Sequence, residues 1–314
     1  MTDSAHTPRA IGLLLYTGAL LGAGLPLGKL AAAAGVPPLV WAMVISAGAA
    51  GVLVPVLVVQ RRFALPRGRM LRYAAISGTL SFAAVNALLF WVIPHVGAGY
   101  AGLMFALSPV ATLAVTAMAG LATPPRLGII GIGLGLAGAA LVALTRGGAI
   151  GTDGAGGLGW AVLGFALPAI LAIGNVYRTL DWPEGAHPAA LAAWSHIFAL
   201  LALVTLQIAL TGTMPLNHLH AVPHLVLPQM LIAGLTFPAY FALQRAGGPV
   251  LLSQIGYVAA AVGLAAGTVL LGEVYAPLTW AGAAVVAIGI ALTIRAQLSP
   301  APEVPRRAPS AGCA

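Results

Sequence analysis

Residues 188–211 read PAALAAWSHIFALLALVTLQIALT, a run with no Asp, Glu, Lys or Arg. A helix rises about 1.5 Å per residue, so ~20 residues cross the ~30 Å hydrocarbon core of a bilayer, and this run is long enough to do so. Pro188 opens it, at a helical position where a missing N–H costs little. The apolar residues run on without alternating, which is not the pattern of a membrane β-barrel strand. In lipid the backbone must satisfy its own polar groups, and that leaves the helix.

Outward from this stretch the same signature recurs. Spans are placed at 10–33, 38–59, 71–93, 97–119, 125–145, 158–179, 188–211, 222–244, 248–271 and 276–296. Sixty per cent of the 314 residues are apolar and 6% are charged, against about 25% charged in soluble domains. A soluble fold of this length would need a charged skin that this chain lacks. The expected fold class is an all-α polytopic membrane protein with ten transmembrane helices.

The net charge of +8 resides mostly in arginines between apolar runs, which fits membrane topology better than a nucleic-acid face. With a cytoplasmic N-terminus, Arg9, Arg61, Arg62, Arg67, Arg69, Arg72, Arg126, Arg178, Arg245, Arg295, Arg306 and Arg307 fall inside and Arg146 outside. This is a positive-inside bias, and it predicts that both termini are cytoplasmic. Cys313 is the single cysteine, so no disulfide framework or cysteine metal site forms within the chain. The first apolar run exceeds a signal-peptide core and is expected to remain as a helix. The Pro- and Arg-rich tail, 299–314, reads as disordered.

Gly131, Gly138, Ala140 and Leu141 recur as Gly282, Gly289, Ala291 and Leu292, and the stretch around Lys29 aligns with that around Arg178. Five spans per half is an odd number, so the second half must enter the membrane from the opposite face. Two inverted five-helix repeats are expected, 1–150 and 151–298, an arrangement that places a site near midplane between the halves.

Several residues carry candidate chemistry. Gly133, Gly135 and Gly138 match a dinucleotide fingerprint, but in mid-helix. Gly128, Gly131, Gly135 and Gly138 line one helical face, as close helix packing requires. His218, His220 and His224 share a loop with no carboxylate, and no metal site is assigned. Lys29 lies near the end of span 1, as a gating residue or as a lysine snorkelling to the headgroups. Glu273 either caps the last span electrostatically or takes part in coupling. Deeper polar and aromatic side chains are Phe82 and Asn86 in span 3, Asn175 in span 6, Phe237, Tyr240 and Gln244 in span 8, and Ser253, Gln254 and Tyr257 in span 9. They line a cavity or bond helix to helix. Neither a catalytic cluster nor a P-loop is present, so no cofactor is expected and the chain offers no ATP site of its own.

Gly272-Glu273-Val274-Tyr275 followed by Pro277, Trp280 and Gly282, and Tyr100-Ala101-Gly102-Leu103 leading through Ser108-Pro109 to a glycine-rich span, resemble the EamA-type transporters of the drug/metabolite transporter superfamily. Where that family often has a Gly-Glu pair after span 4, this chain has Gly120-Leu121-Ala122. Within the family the look is that of bacterial exporters of amino acids, aromatic ones included. The resemblance implies a secondary transporter of the bacterial inner membrane, a monomer or homodimer in the lipid bilayer, whose walls come from spans 1, 3, 4, 6, 8 and 9. Few intramembrane charges suggest a neutral or zwitterionic small-molecule cargo, carried by alternating access. Tyr100 joins the candidate substrate-binding residues. The rival readings are a channel or facilitator for small solutes and an integral-membrane enzyme.

Overall fold

The computed structural model describes residues 6–89, 107–121, 123–145, 157–272 and 274–298. These residues are helical apart from short connections, as their composition dictates. α1 (His6–Ala33) and α2 (Pro38–Val59) are followed by α3 (Gly68–Ile76), which passes into a π-helix, Ser77–Ala84, and remains helical over 85–89. α4 (Ser108–Met118), α5 (Arg126–Thr145), α6 (Gly157–Gly164) and α7 (Ala166–Leu180) come next. Then follow α8 (Pro188–Thr211), a single turn α9 (Asn217–His220), α10 (Pro223–Ser253), α11 (Ile255–Leu271) and α12 (Pro277–Leu298). Six described helical segments are long and apolar enough to cross a membrane, and Ser108–Met118, Arg126–Val142 and Ile255–Leu270 are shorter apolar helices.

Prolines stand at the expected starts of α2 (Pro38), α8 (Pro188) and α12 (Pro277), and Pro223 also opens α10. α8 ends on Gly212 in the left-handed region (φ 66°), the αL stop that glycine makes without steric cost. α10 turns sharply at Gly248 (φ 69°, ψ −175°), a conformation that is essentially glycine's own. This break separates the long helix from the short leg leading into α11.

The helices pack in a recurring pattern. α5 lies along α12, and α2 meets α8. α1 packs on α10 and α11, while α7 packs on the π segment and α4. α2 touches α10, as α3 and the π segment touch α8. The α5–α12 contact is made by the glycines whose positions recur. A Cβ on Gly131 would lie 2.6 Å from the carbonyl oxygen of Gly289, and one on Gly138 would lie 2.6 Å from that of Gly282. Small residues let the two backbones meet, and van der Waals contact holds them where lipid offers no hydrophobic drive.

The main core joins α2, α3, the π segment, α8 and α10 through Leu53, Phe82, Leu191, Phe237 and Phe241. A second cluster holds α1, α11 and α12 to the end of α10 through Leu14, Leu251, Tyr257 and Ile290. The polar centre described next lies beside the first of these cores, around Phe82 and Tyr240.

Candidate functional site

The last turns of α7 carry Asn175, Arg178 and Thr179, spaced so that they share a helical face. Opposite them α10 presents Phe237, Tyr240, Phe241 and Gln244. Arg178 is 0% exposed, and among the described residues no other Lys, Arg, Asp or Glu is buried. Its Nη2 donates to Asn175 Oδ1 (2.6 Å) and to the Tyr240 hydroxyl (2.7 Å). Its Nε donates to Gln244 Oε1 (3.3 Å). Gln244 Nε2 in turn donates to the Asn175 carbonyl (2.9 Å) and to Thr179 Oγ1 (2.5 Å). Asn175 Nδ2 reaches Thr112 Oγ1 on α4 (3.3 Å). Three helices therefore converge on one buried cation.

Aromatic rings wall this network. The Arg178 guanidinium carbon lies 5.6 Å from the Phe82 ring centroid and 5.2 Å from that of Tyr240, within cation–π range. Phe82 stands edge-on to Phe237 at 5.3 Å. His196 of α8 packs on both, at 4.4 Å from Phe82 and 3.8 Å from Phe237, with its Nδ1 3.4 Å from Ser46 Oγ of α2. Phe82 sits in the π-helix. Such widened turns re-aim side chains and are frequent at functional sites.

Of the residues expected to meet substrate, Phe82, Asn175, Phe237, Tyr240 and Gln244 come together here. Asn86 turns its amide to the Phe82 carbonyl (2.7 Å) on its own helix. Ser253 bonds the Val250 carbonyl (2.7 Å). Gln254 is buried at the junction of α10 and α11, and neither amide atom has a hydrogen-bond partner among the described residues. Tyr257 packs its ring on Gly135 and donates to the Ile132 carbonyl (3.2 Å), toward α5. Lys29 is exposed on α1. Tyr100 and Glu273 lie outside the described residues.

Sequence reasoning grouped Arg178 with the cytoplasmic loop arginines, whereas its side chain is wholly buried. Thr112, Ser81 and His196 were also missed. One sequence signal pointed to Arg178: Asn175 stands one turn before it, facing the amide and aromatic stripe of span 8.

A second polar group closes the same end of the helices. Arg72 clamps Asp181 through Nη2 (2.6 Å) and Nε (3.3 Å), Arg69 Nε adds a bond of 3.0 Å, and Tyr177 donates to Asp181 Oδ2 (2.7 Å). Burial alone would raise the Asp181 pKa, but the hydrogen bonds from Arg72, Tyr177 and Arg69 prevail and hold it below the usual carboxylate value. This cluster ties the start of α3 to the end of α7, one turn from Arg178.

Apolar membrane-length helices closed around a small polar and aromatic centre define a multi-pass membrane protein built around an interior site. Residues 8–144 match the EamA-like transporter family. The chain is 31% identical over 268 residues to the uncharacterized inner membrane transporter YedA of Escherichia coli K12, covering 82% of each chain. It is equally similar to the YedA proteins of the O6:H1 and O157:H7 strains. The chain belongs to the EamA-like transporter family. A solved crystal structure, 18% identical, superimposes with a TM-score of 0.69 over 92% of this chain and 96% of the other, and so shares its fold.

Proposed function

We propose that this protein is a secondary carrier of the bacterial inner membrane that exports small neutral or zwitterionic metabolites, amino acids with aromatic side chains among them, by alternating access. The observation that carries this reading is the centre at Arg178. Phe82 and Thr112 come from the first half of the chain, and Asn175, Arg178, Tyr240 and Gln244 from the second. Polar groups held between halves, with aromatic faces beside them, suit a cargo with a charged end and an apolar side chain.

The division into repeats, 1–150 and 151–298, draws support from the packing. Under an exchange of halves, Gly131 corresponds to Gly282 and Gly138 to Gly289, and the contacts are Gly131 with Gly289 and Gly138 with Gly282. Such reciprocal pairing is what a two-fold relation produces. The Arg distribution supports cytoplasmic termini, and the name of the Escherichia coli relatives supports the inner membrane.

Uptake of labelled phenylalanine into proteoliposomes tests the proposal. The expected result is saturable flux accelerated by unlabelled phenylalanine on the opposite side. Flux that rises linearly with concentration and shows no acceleration would instead indicate a channel, and absence of flux for a full amino-acid panel would remove the substrate class.

A further inference from the structure

We propose that Arg178 and Ser81 form a subsite for the carboxylate of the cargo, so that the protein selects apolar and aromatic carboxylates by their acid group and not by their amine. This inference rests on the carrier reading and specifies its site.

A guanidinium has five N–H donors. Three of those of Arg178 are spent on Gln244, Asn175 and Tyr240. The other two are on Nη1, which is buried and has no hydrogen-bond partner among the described residues. No salt bridge to Arg178 occurs among these residues either. The only described acids are Asp181, engaged by Arg69 and Arg72, and the exposed Glu184. Removing a cation from water without a counter-charge is expensive, and a charge within a membrane segment points to function. The aromatic faces of Phe82 and Tyr240 hold the cation without neutralising it.

A second donor converges on the same spot. Ser81, 6% exposed, has a hydroxyl with no hydrogen-bond partner among the described residues. Between Ser81 and Arg178 lies Gly174. A Cβ there would meet Ser81 Oγ and would stand 3.5 Å from Nη1 of Arg178. With no side chain at Gly174, Ser81 Oγ and Arg178 Nη1 flank the same stretch of backbone, and neither is spent on a partner among the described residues. A carboxylate admitted between them as the helices part would accept from Nη1 and from the serine hydroxyl, the charge-assisted contact a carboxylate makes well. Tyr73 and Ser77, eight and four residues before Ser81, also carry buried hydroxyls with no hydrogen-bond partner among the described residues. The Phe82, Phe237 and Tyr240 rings stand ready for the apolar part of the ligand. No described acid faces this centre to receive an ammonium group.

The test uses the full-length protein purified in detergent, with ligand-dependent tryptophan fluorescence and thermal stabilisation as readouts. The probes are phenylalanine, 3-phenylpropionate, phenylalaninamide and phenethylamine. The two carboxylates are expected to bind within about tenfold of each other, and the amide and amine to bind at least tenfold more weakly. Arg178→Lys keeps a charge but not the fork, and is expected to weaken carboxylate binding at least tenfold. Ser81→Ala, a small change at one donor, is expected to weaken it several-fold with little change in melting temperature. If Arg178 only ties α7 to α10, its substitution lowers the melting temperature and leaves the preference for acid over amide intact. That outcome overturns the subsite, as does equal binding of phenylalanine and its amide, or no binding of either carboxylate to folded wild-type protein. Saturable, counter-exchanging flux of a solute without a carboxylate would leave the carrier reading standing while the subsite fell.

Discussion

At the scale of single residues, the polar centre and the closing cluster make separable predictions. Tyr240→Phe keeps the ring beside Phe82 but removes the oxygen that accepts from Arg178 Nη2. A hydrogen bond to a charged group contributes about 1.5–3 kcal/mol, so the variant should melt at lower temperature and bind substrate more weakly. Unchanged melting and affinity would show that the guanidinium finds another acceptor. Asp181 has a folded pKa below its ordinary value of 3.8. Its ionised form therefore adds stability that is present above that value and is lost as pH falls through the lower folded pKa. Asp181→Asn should melt below wild type at pH 7, with the gap closing toward pH 3. A gap that does not change with pH would assign the effect to packing. Arg178 itself was hard to read in the sequence because it stands three residues before Asp181, where an arginine usually reaches the headgroups. Only the fold shows that its side chain turns inward, toward Tyr240 and Gln244. The amide and aromatic stripe on α10 was legible, because Phe237, Tyr240 and Gln244 repeat at helical spacing on one face.

At the scale of elements, the glycine face of α5 was legible for the same reason, and its partner is now defined. A Cβ on Gly138 would come within 2.6 Å of the Gly282 oxygen and 2.7 Å of the Val286 nitrogen, both backbone atoms that cannot rotate away. Gly138→Ala should force α5 and α12 apart and cost about 1–3 kcal/mol, the usual scale of overpacking. Gly133, five residues earlier, has nothing within 4 Å of its Cβ position. Gly133→Ala should therefore leave the melting temperature unchanged or raise it slightly. Equal effects of the two substitutions would contradict close packing on one face. The π-helix at Ser77–Ala84 was not legible, since its residues, SGTLSFAA, differ little from those of an ordinary apolar helix. The widening depends on what packs against it. The fate of Tyr257 was likewise beyond periodicity, which places a residue on a face but does not say which neighbour the face meets. Here that neighbour is Gly135 of α5.

At the scale of the whole molecule, the succession of membrane helices was legible because lipid permits few alternatives to a continuous apolar helix. The pairing of α1 with α10 and of α7 with the π segment was not, because it depends on contacts between distant parts of the chain. These pairings make the centre at Arg178 a place where both halves contribute. In this conformation it is closed, with Arg178 wholly buried and α3 pinned to α7 through Asp181. A carrier must expose that centre to each side in turn. The direct measurement is accessibility of a thiol at the site, using Ser81→Cys in a Cys313→Ser background. A membrane-impermeant maleimide would be applied from either face of oriented proteoliposomes while phenylalanine or 3-phenylpropionate flux is measured. The account predicts slow labelling from each face in separate experiments, protection by the transported substrate, and loss of flux once the thiol is modified. Rapid, unprotected labelling from both faces would describe an open pore, and undiminished flux through fully modified protein would place the transport path elsewhere.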